Sequence, residues 1–228
     1  MPGKWEGEER SVRVLAGPVT IEGDLSLPKG ARGIVLFAHG SGSSRQSPRN
    51  RQVARLLNEA KLATLLVDLL TPAEEAIDVQ TAHLRFDIGL LAERLLGATD
   101  WLAQHPDTRA LRIGYFGAST GAAAALVAAA SRPPLVGAVV SRGGRPDLAG
   151  PALARVRAPT LLIVGGNDFP VIEMNRAALA QLRCEKRLVI VLGATHLFEE
   201  PGALARVARL ARDWFLTYLG RKGGETTG

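Results

Sequence analysis

Several features that define other protein classes are scarce in this sequence of 228 residues. It has one cysteine, Cys184, so no disulfide can form within the chain. Aromatic residues make up 5%, which leaves little material for stacking on nucleic-acid bases. No apolar run approaches the roughly 18 residues of a membrane-spanning helix, and the charged N-terminus lacks a signal-peptide core. We therefore expect a cytoplasmic protein that binds no membrane.

The charge is positive but dispersed. The net charge is +6, and 28 Lys and Arg residues are interspersed among 22 Asp and Glu residues without a block of like charge. A nucleic-acid-binding surface would concentrate its positive charge. The pattern favours an Arg-rich solvated surface, and we predict no nucleic-acid partner.

Short apolar runs alternate with helical patterns along the chain, which has 46% apolar residues. This order predicts an α/β fold with a doubly wound, mainly parallel sheet, helices on both faces and no large cap domain. We expect one domain over 1–228, with a flexible tail at 221–228. The least regular stretch, 68–83, is interpreted as a loop or a small partial lid. The predicted strands are a hairpin at 11–27 and runs at 33–38, 63–67, 113–116, 135–140, 160–164 and 188–192; the predicted helices lie at about 48–60, 84–103, 120–130, 173–182 and 201–218.

Reactive residues follow the predicted buried strands. His39, Asp68, Ser119, Asp168 and His196 each come just after such a run or within a few residues of its end. Because the carboxyl ends of parallel strands meet at one edge of the sheet, where ligands bind, these side chains are expected to lie together.

The segment Gly117-Ala-Ser119-Thr-Gly121 matches the G-x-S-x-G pattern between a buried strand and an Ala-rich helix. In that setting the serine lies at the apex of a strained turn, and the residues two before and two after must be small. We predict Ser119 as a nucleophile; the alternative is a glycine turn with a capping serine.

His196 lies between the last predicted strand and the last helix, and is predicted to be the general base. Asp168 follows an earlier strand and completes the chain order Ser, Asp, His expected of this arrangement. Asp168 could instead be a turn residue or a helix cap, and Asp68 also follows a strand and could be the acid.

Two backbone N–H groups are predicted to form an oxyanion hole, those of Thr120 after the nucleophile and Ser41 in the glycine-rich loop 39–42. The alternative for that loop is a plain glycine turn. Arg45 and Arg142 follow strand ends and are candidate substrate-binding residues for an anionic acyl group. Ordinary surface arginines are the alternative for both.

Four segments, His39-Gly-Ser-Gly, Gly117-Ala-Ser-Thr-Gly, Val164-Gly-Gly-Asn-Asp and Ala194-Thr-His, resemble the α/β-hydrolase superfamily, and within it the small dienelactone-hydrolase-like group. The resemblance covers about residues 20–219. It implies the triad Ser119, Asp168 and His196 and no metal or organic cofactor. Dienelactone hydrolases proper carry a cysteine nucleophile, and this chain has Ser119 in its place.

The expected function is therefore hydrolysis of a small carboxylic ester, lactone or related acyl bond through an acyl-enzyme. The expected partner is a small-molecule acyl substrate, and a homodimer is left open. Two alternatives remain: a non-catalytic binding module on the same fold, and a phosphate-ligand protein, which the absence of a phosphate-loop motif disfavours.

Overall fold

The computed structural model describes residues 7–220, so the predicted tail at 221–228 lies outside the described residues. Eight strands form one sheet in the order β1-β2-β4-β3-β5-β6-β7-β8. The strands are β1 (Gly7–Ala16), β2 (Val19–Pro28), β3 (Ile34–Ala38), β4 (Ala63–Val67), β5 (Ile113–Ala118), β6 (Val136–Arg142), β7 (Thr160–Gly165) and β8 (Lys186–Val191). The helices are α1 (Pro48–Glu59), α2 (Pro72–Thr81), α3 (Ile88–Gln104), α4 (Thr120–Ser131), α5 (Phe169–Gln181) and α6 (Ala203–Leu219), with 3₁₀ segments at Leu84–Phe86 and Pro146–Arg155.

The sheet is mainly parallel, as predicted. The hairpin β1–β2 adds to β4 in antiparallel fashion, and the strands from β4 to β8 in the sheet order are parallel. The chain winds from β3 outward to β4 and then returns to β5 on the other side of β3. This change of direction makes a topological switch point, where an open α/β sheet binds its ligands. Ala38 pairs with Gly117 there, which places the loops after β3 and β5 side by side.

Apolar side chains cover both faces of the sheet. One core contains residues of the hairpin, α3 and α4, including Leu95, Tyr115 and the alanines of α4. The other contains residues of α1 and α6, including Phe37 and Phe215. The central strands are buried along their whole length, which is why they form continuous apolar runs in the sequence.

Several elements differ from the sequence prediction; the helix predicted at 173–182 begins at Phe169, for example. The stretch 68–83 contains α2, which begins with a capping box: the Thr71 hydroxyl accepts from the Glu74 N–H, and the Glu74 carboxylate accepts from the Thr71 N–H. The Thr-Pro-x-Glu pattern is the signal that could have revealed this helix. The helix predicted to begin at 84 instead begins at Ile88, because Asp87 caps it through the Leu90 N–H.

No large cap domain is inserted among residues 7–220. Within the same range, no helix is both long enough and apolar enough to span a membrane.

Candidate active site

Ser119 lies at the sharp turn between β5 and α4. Its φ of 49° and ψ of −122° are outside the regions that non-glycine residues ordinarily adopt. The turn is held by the backbone: the Ser119 N–H donates to the Arg142 carbonyl, and the Ser119 carbonyl accepts from the Ala122 and Arg145 N–H groups. A strained residue fixed from both sides is the geometry predicted for a nucleophile at the apex of a strand–helix turn.

The two glycines of the motif are required by close backbone approach. A Cβ at Gly117 would lie 2.4 Å from the Ala122 Cα, and a Cβ at Gly121 would lie 2.4 Å from the carbonyl oxygens of Ala38 and His39. Such distances are far inside van der Waals contact. Both small residues therefore let α4 leave the sheet directly after Ser119.

His196 and Asp168 are hydrogen-bonded. The His196 Nδ1 lies 2.6 Å from the Asp168 Oδ2, and the Asp168 side chain is 13% exposed against 41% for His196. A carboxylate on Nδ1 selects the tautomer in which Nε2 is the free acceptor, and it stabilises the imidazolium. The pair can therefore act as an oriented base.

The loops of the acid and the base are fastened to each other. The Asn167 side chain donates to the Gly193 carbonyl, and a Cβ at Gly165 would lie 2.4 Å from the Thr195 carbonyl oxygen. The Glu200 carboxylate accepts from both the N–H and the hydroxyl of Thr195, and these hydrogen bonds lower its pKa. Asn167 thus bridges the two loops.

The structure has no hydrogen bond between the Ser119 hydroxyl and His196, although it does join His196 to Asp168. Catalytic hydrogen bonds are commonly long in the absence of substrate and shorten in the Michaelis complex. Gly143, at the end of β6, lies beside the histidine, since a Cβ there would be 3.6 Å from the His196 Cε1. The imidazole thus lies at the sheet edge close to the loop that adjoins the Ser119 turn.

The two predicted oxyanion donors are neighbours. The Ser41 N–H donates to the Thr120 hydroxyl at 3.1 Å. Thr120 is the first residue of α4, so its own N–H has no partner within the helix. Together they line a cleft of about 400 Å³, which includes space open to solvent. The other lining residues are His39, Gly40, Gly42, Ser43, Asp68, Leu69, Leu70, Glu75, Asp78, Arg85 and Leu91.

The two candidate substrate-binding arginines differ in environment. Arg45 pairs with Asp68 through its N–H and its guanidinium, and its Nε lies 3.6 Å from the Asp24 carboxylate. Arg142 is 7% exposed, and its guanidinium makes one hydrogen bond among the described residues, a 3.5 Å contact from Nη2 to the Asn50 side-chain oxygen. Burial, together with the charge of Arg49, lowers the pKa of Arg142 to about 10. Arg45 is thus already occupied by carboxylates, whereas Arg142 is not.

The sequence profile of the dienelactone hydrolase family matches residues 28–216 of this chain. The chain belongs to that family. A dienelactone hydrolase from Anabaena variabilis has a solved structure that is 67% identical, with a TM-score of 0.92 over 93% of this chain and 99% of the other. Est1E from Butyrivibrio proteoclasticus has a TM-score of 0.74 and 17% identity, over 91% of this chain and 98% of the other, and shows the same α/β-hydrolase fold. The family and the 67% identical structure support a hydrolase role.

Relatives in two Mycobacterium tuberculosis strains are 59% identical over 211 residues, which is 92% of this chain. They carry the provisional name phosphoribosyl transferase. This member of the dienelactone hydrolase family spans about half of their length, 47%.

His39 has a role in the structure that the sequence did not indicate. It is buried, its Nε2 accepts from the Leu69 N–H at 3.0 Å, and its Nδ1 donates to the Gly40 carbonyl at 2.9 Å. Those contacts fix a neutral tautomer, and burial lowers the pKa of His39. His39 therefore positions the loop 39–42 that carries the Ser41 N–H, and it is not available as a base.

We expect His39→Gln to lower the free energy of unfolding by about 1–2 kcal/mol at pH 7.5, because the hydrogen bond to the Gly40 carbonyl is lost. The folded-state pKa of His39 lies below that of the unfolded chain, so wild type loses stability as pH falls through about 6.5 and below. The variant lacks this titration. Denaturant unfolding at pH 7.5 and 5.5 should show the difference between the two proteins shrinking, and a constant difference would contradict the assignment.

No group of three or more His, Cys, Asp or Glu side chains among residues 7–220 is arranged to hold a metal ion.

Proposed function

We propose that this chain is a serine hydrolase that cleaves a small carboxylic ester, lactone or related acyl bond through an acyl-enzyme on Ser119. The observation that carries the proposal is the 2.6 Å hydrogen bond between His196 and Asp168 at the same sheet edge as the strained Ser119 turn. A nucleophile, a base and a group that orients the base are the three parts that covalent acyl transfer needs.

In the proposed reaction, the Ser119 hydroxyl attacks the acyl carbonyl while His196 Nε2 takes its proton. Asp168 holds the imidazole through Nδ1 and stabilises the imidazolium. The N–H groups of Thr120 and Ser41 stabilise the oxyanion, which requires the Ser41 N–H to leave the Thr120 hydroxyl or to share its proton between the two acceptors. His196 then protonates the leaving alcohol, and water repeats the sequence to release the acid.

The cleft beside the two oxyanion donors supports a small substrate. Its volume of about 400 Å³ includes space open to solvent, so the enclosed part is smaller than that. One wall is formed by α2 through Glu75 and Asp78, so α2 acts as a partial cover and not as a cap. A small acyl or alcohol group fits this space better than a long lipid chain does.

A fluorophosphonate probe tests the proposal directly. We expect stoichiometric labelling at Ser119, located by mass spectrometry of the digested protein, because only an activated serine reacts with such a probe. Ser131→Ala is a matched control, since Ser131 lies at the far end of α4 and its hydroxyl donates to the Val127 carbonyl. Absence of labelling in the folded protein would favour the alternative of a non-catalytic binding module.

The transferase name does not alter this proposal. It belongs to proteins of which this chain covers 47%, and the hydrolase profile matches residues 28–216 of this chain. We propose that the transferase activity, where it exists, resides in the part of those relatives that this chain does not cover.

A further inference from the structure

Arg142 is a buried cation without a carboxylate partner. It is 7% exposed, its Nε is buried without a hydrogen-bond partner, and no carboxylate among residues 7–220 forms an ion pair with it. A buried charge is costly unless it is paired and hydrogen-bonded. A bound anion would offset this cost.

A second arginine lies close to Arg142. Arg49 is on the first turn of α1 and directly precedes Asn50, whose side-chain oxygen accepts from the Arg142 Nη2. The charge of Arg49 also helps to lower the pKa of Arg142. The Arg49 Nη1 lies 3.0 Å from the Glu199 carboxylate, and its Nε is also buried and unpartnered. Two guanidinium groups in proximity repel each other, so an anion between them would relieve the repulsion as well as the desolvation.

The two arginines lie next to the proposed catalytic residues. Arg142 is the register partner of Ala118, and its carbonyl accepts the Ser119 N–H. Glu199, which holds Arg49, is three residues after His196. The two arginines therefore link the end of β6, the first turn of α1 and the histidine loop.

We propose that Arg142 and Arg49, with the Asn50 amide, form a subsite for an oxyanion, a carboxylate or phosphate group. Guanidinium groups recognise both through paired N–H donors. The positive end of α1 adds to the attraction. The oxyanion is either a free ion or the charged end of the substrate; the second possibility rests on the proposed hydrolase function.

The first experiment measures phosphate binding by thermal denaturation, with chloride added to keep ionic strength constant. For wild type we expect a saturable rise in Tm that reaches about 3 °C at ten times the fitted Kd. Arg142→Met should lose the rise, and its Tm without phosphate should not fall, because a buried unpaired charge has been removed. Arg49→Met should weaken the apparent affinity about ten-fold.

Arg145→Met is the matched control. Arg145 lies on the loop that follows β6, but its Nε and Nη2 both donate to the Asp147 carboxylate. It should respond to phosphate as wild type does. The subsite is refuted if wild type shows no phosphate effect, or if Arg142→Met responds as wild type does.

A second experiment identifies the source of the oxyanion. In Arg142→Met, KM for 4-nitrophenyl hemisuccinate should rise about ten-fold relative to KM for the neutral 4-nitrophenyl butyrate. If phosphate binding depends on Arg142 but this ratio does not change, the subsite holds a free anion. The phosphate measurement needs no turnover, so failure of Ser119 labelling would refute the hydrolase proposal and leave this test intact.

Discussion

Ser119→Ala is expected to lower kcat for 4-nitrophenyl acetate by at least about 10⁴-fold, because the acyl-enzyme can no longer form. The remaining rate would come from the oxyanion donors and from binding alone. Initial rates at saturating ester, with enzyme concentration corrected by circular dichroism of the folded fraction, measure this loss. Ser131→Ala supplies the control and should keep the wild-type rate.

A glycine at the same position separates chemistry from backbone strain. Ser119 has a φ of 49° and a ψ of −122°, which a glycine adopts at little cost and an alanine does not. Ser119→Gly should therefore be as inactive as Ser119→Ala but more stable than it, by about 1 kcal/mol in the free energy of unfolding. Equal stability of the two variants would argue against stored strain, and hydrolysis by either at the wild-type rate would overturn the nucleophile assignment.

Much of the fold could be predicted because its central strands are buried on both faces. Continuous apolar runs mark these strands in the sequence, and the glycines around Ser119 mark the turn after β5. The mainly parallel sheet confirms the predicted fold class. α2 was missed because it is short and weakly amphipathic, and its capping box is a two-residue signal. The pairing of Arg45 with Asp68 could not be predicted, since these residues are 23 positions apart and only the fold brings them together.

The choice between Asp168 and Asp68 as the acid of the site could not be made from the sequence either. Both follow buried strands, so strand position alone cannot separate them. In the structure, Asp168 is brought to the histidine loop by two contacts. Gly165 closely approaches the Thr195 carbonyl, and the Asn167 side chain donates to the Gly193 carbonyl. Asp68 follows the end of β4, which lies on the other side of β3 from β5 and β7, and Arg45 pairs with it there.

Asp168→Asn is therefore expected to lower kcat by about 10²–10⁴-fold. The Asn side chain either leaves the imidazole in the wrong tautomer or fails to stabilise the imidazolium, while the volume at the site is kept. Stability should change little, because the exchange is isosteric and the His196 side chain is 41% exposed. Steady-state kinetics on 4-nitrophenyl acetate and urea unfolding of the same preparation measure both quantities.

Asp68→Asn is the matched control, because it makes the same chemical change at the other strand end. We expect it to affect stability more than activity. The ion pair with Arg45 is lost from a site where the Asp68 and Arg45 side chains are only 16% and 23% exposed. The free energy of unfolding should therefore fall by about 1–3 kcal/mol. The kcat of the folded variant should fall by less than about ten-fold, since Asp68 has no contact with His196 and acts on the cleft only through its shape and charge. If Asp68→Asn instead lost kcat to the extent expected of Asp168→Asn, the acid that orients the histidine would have been assigned to the wrong strand.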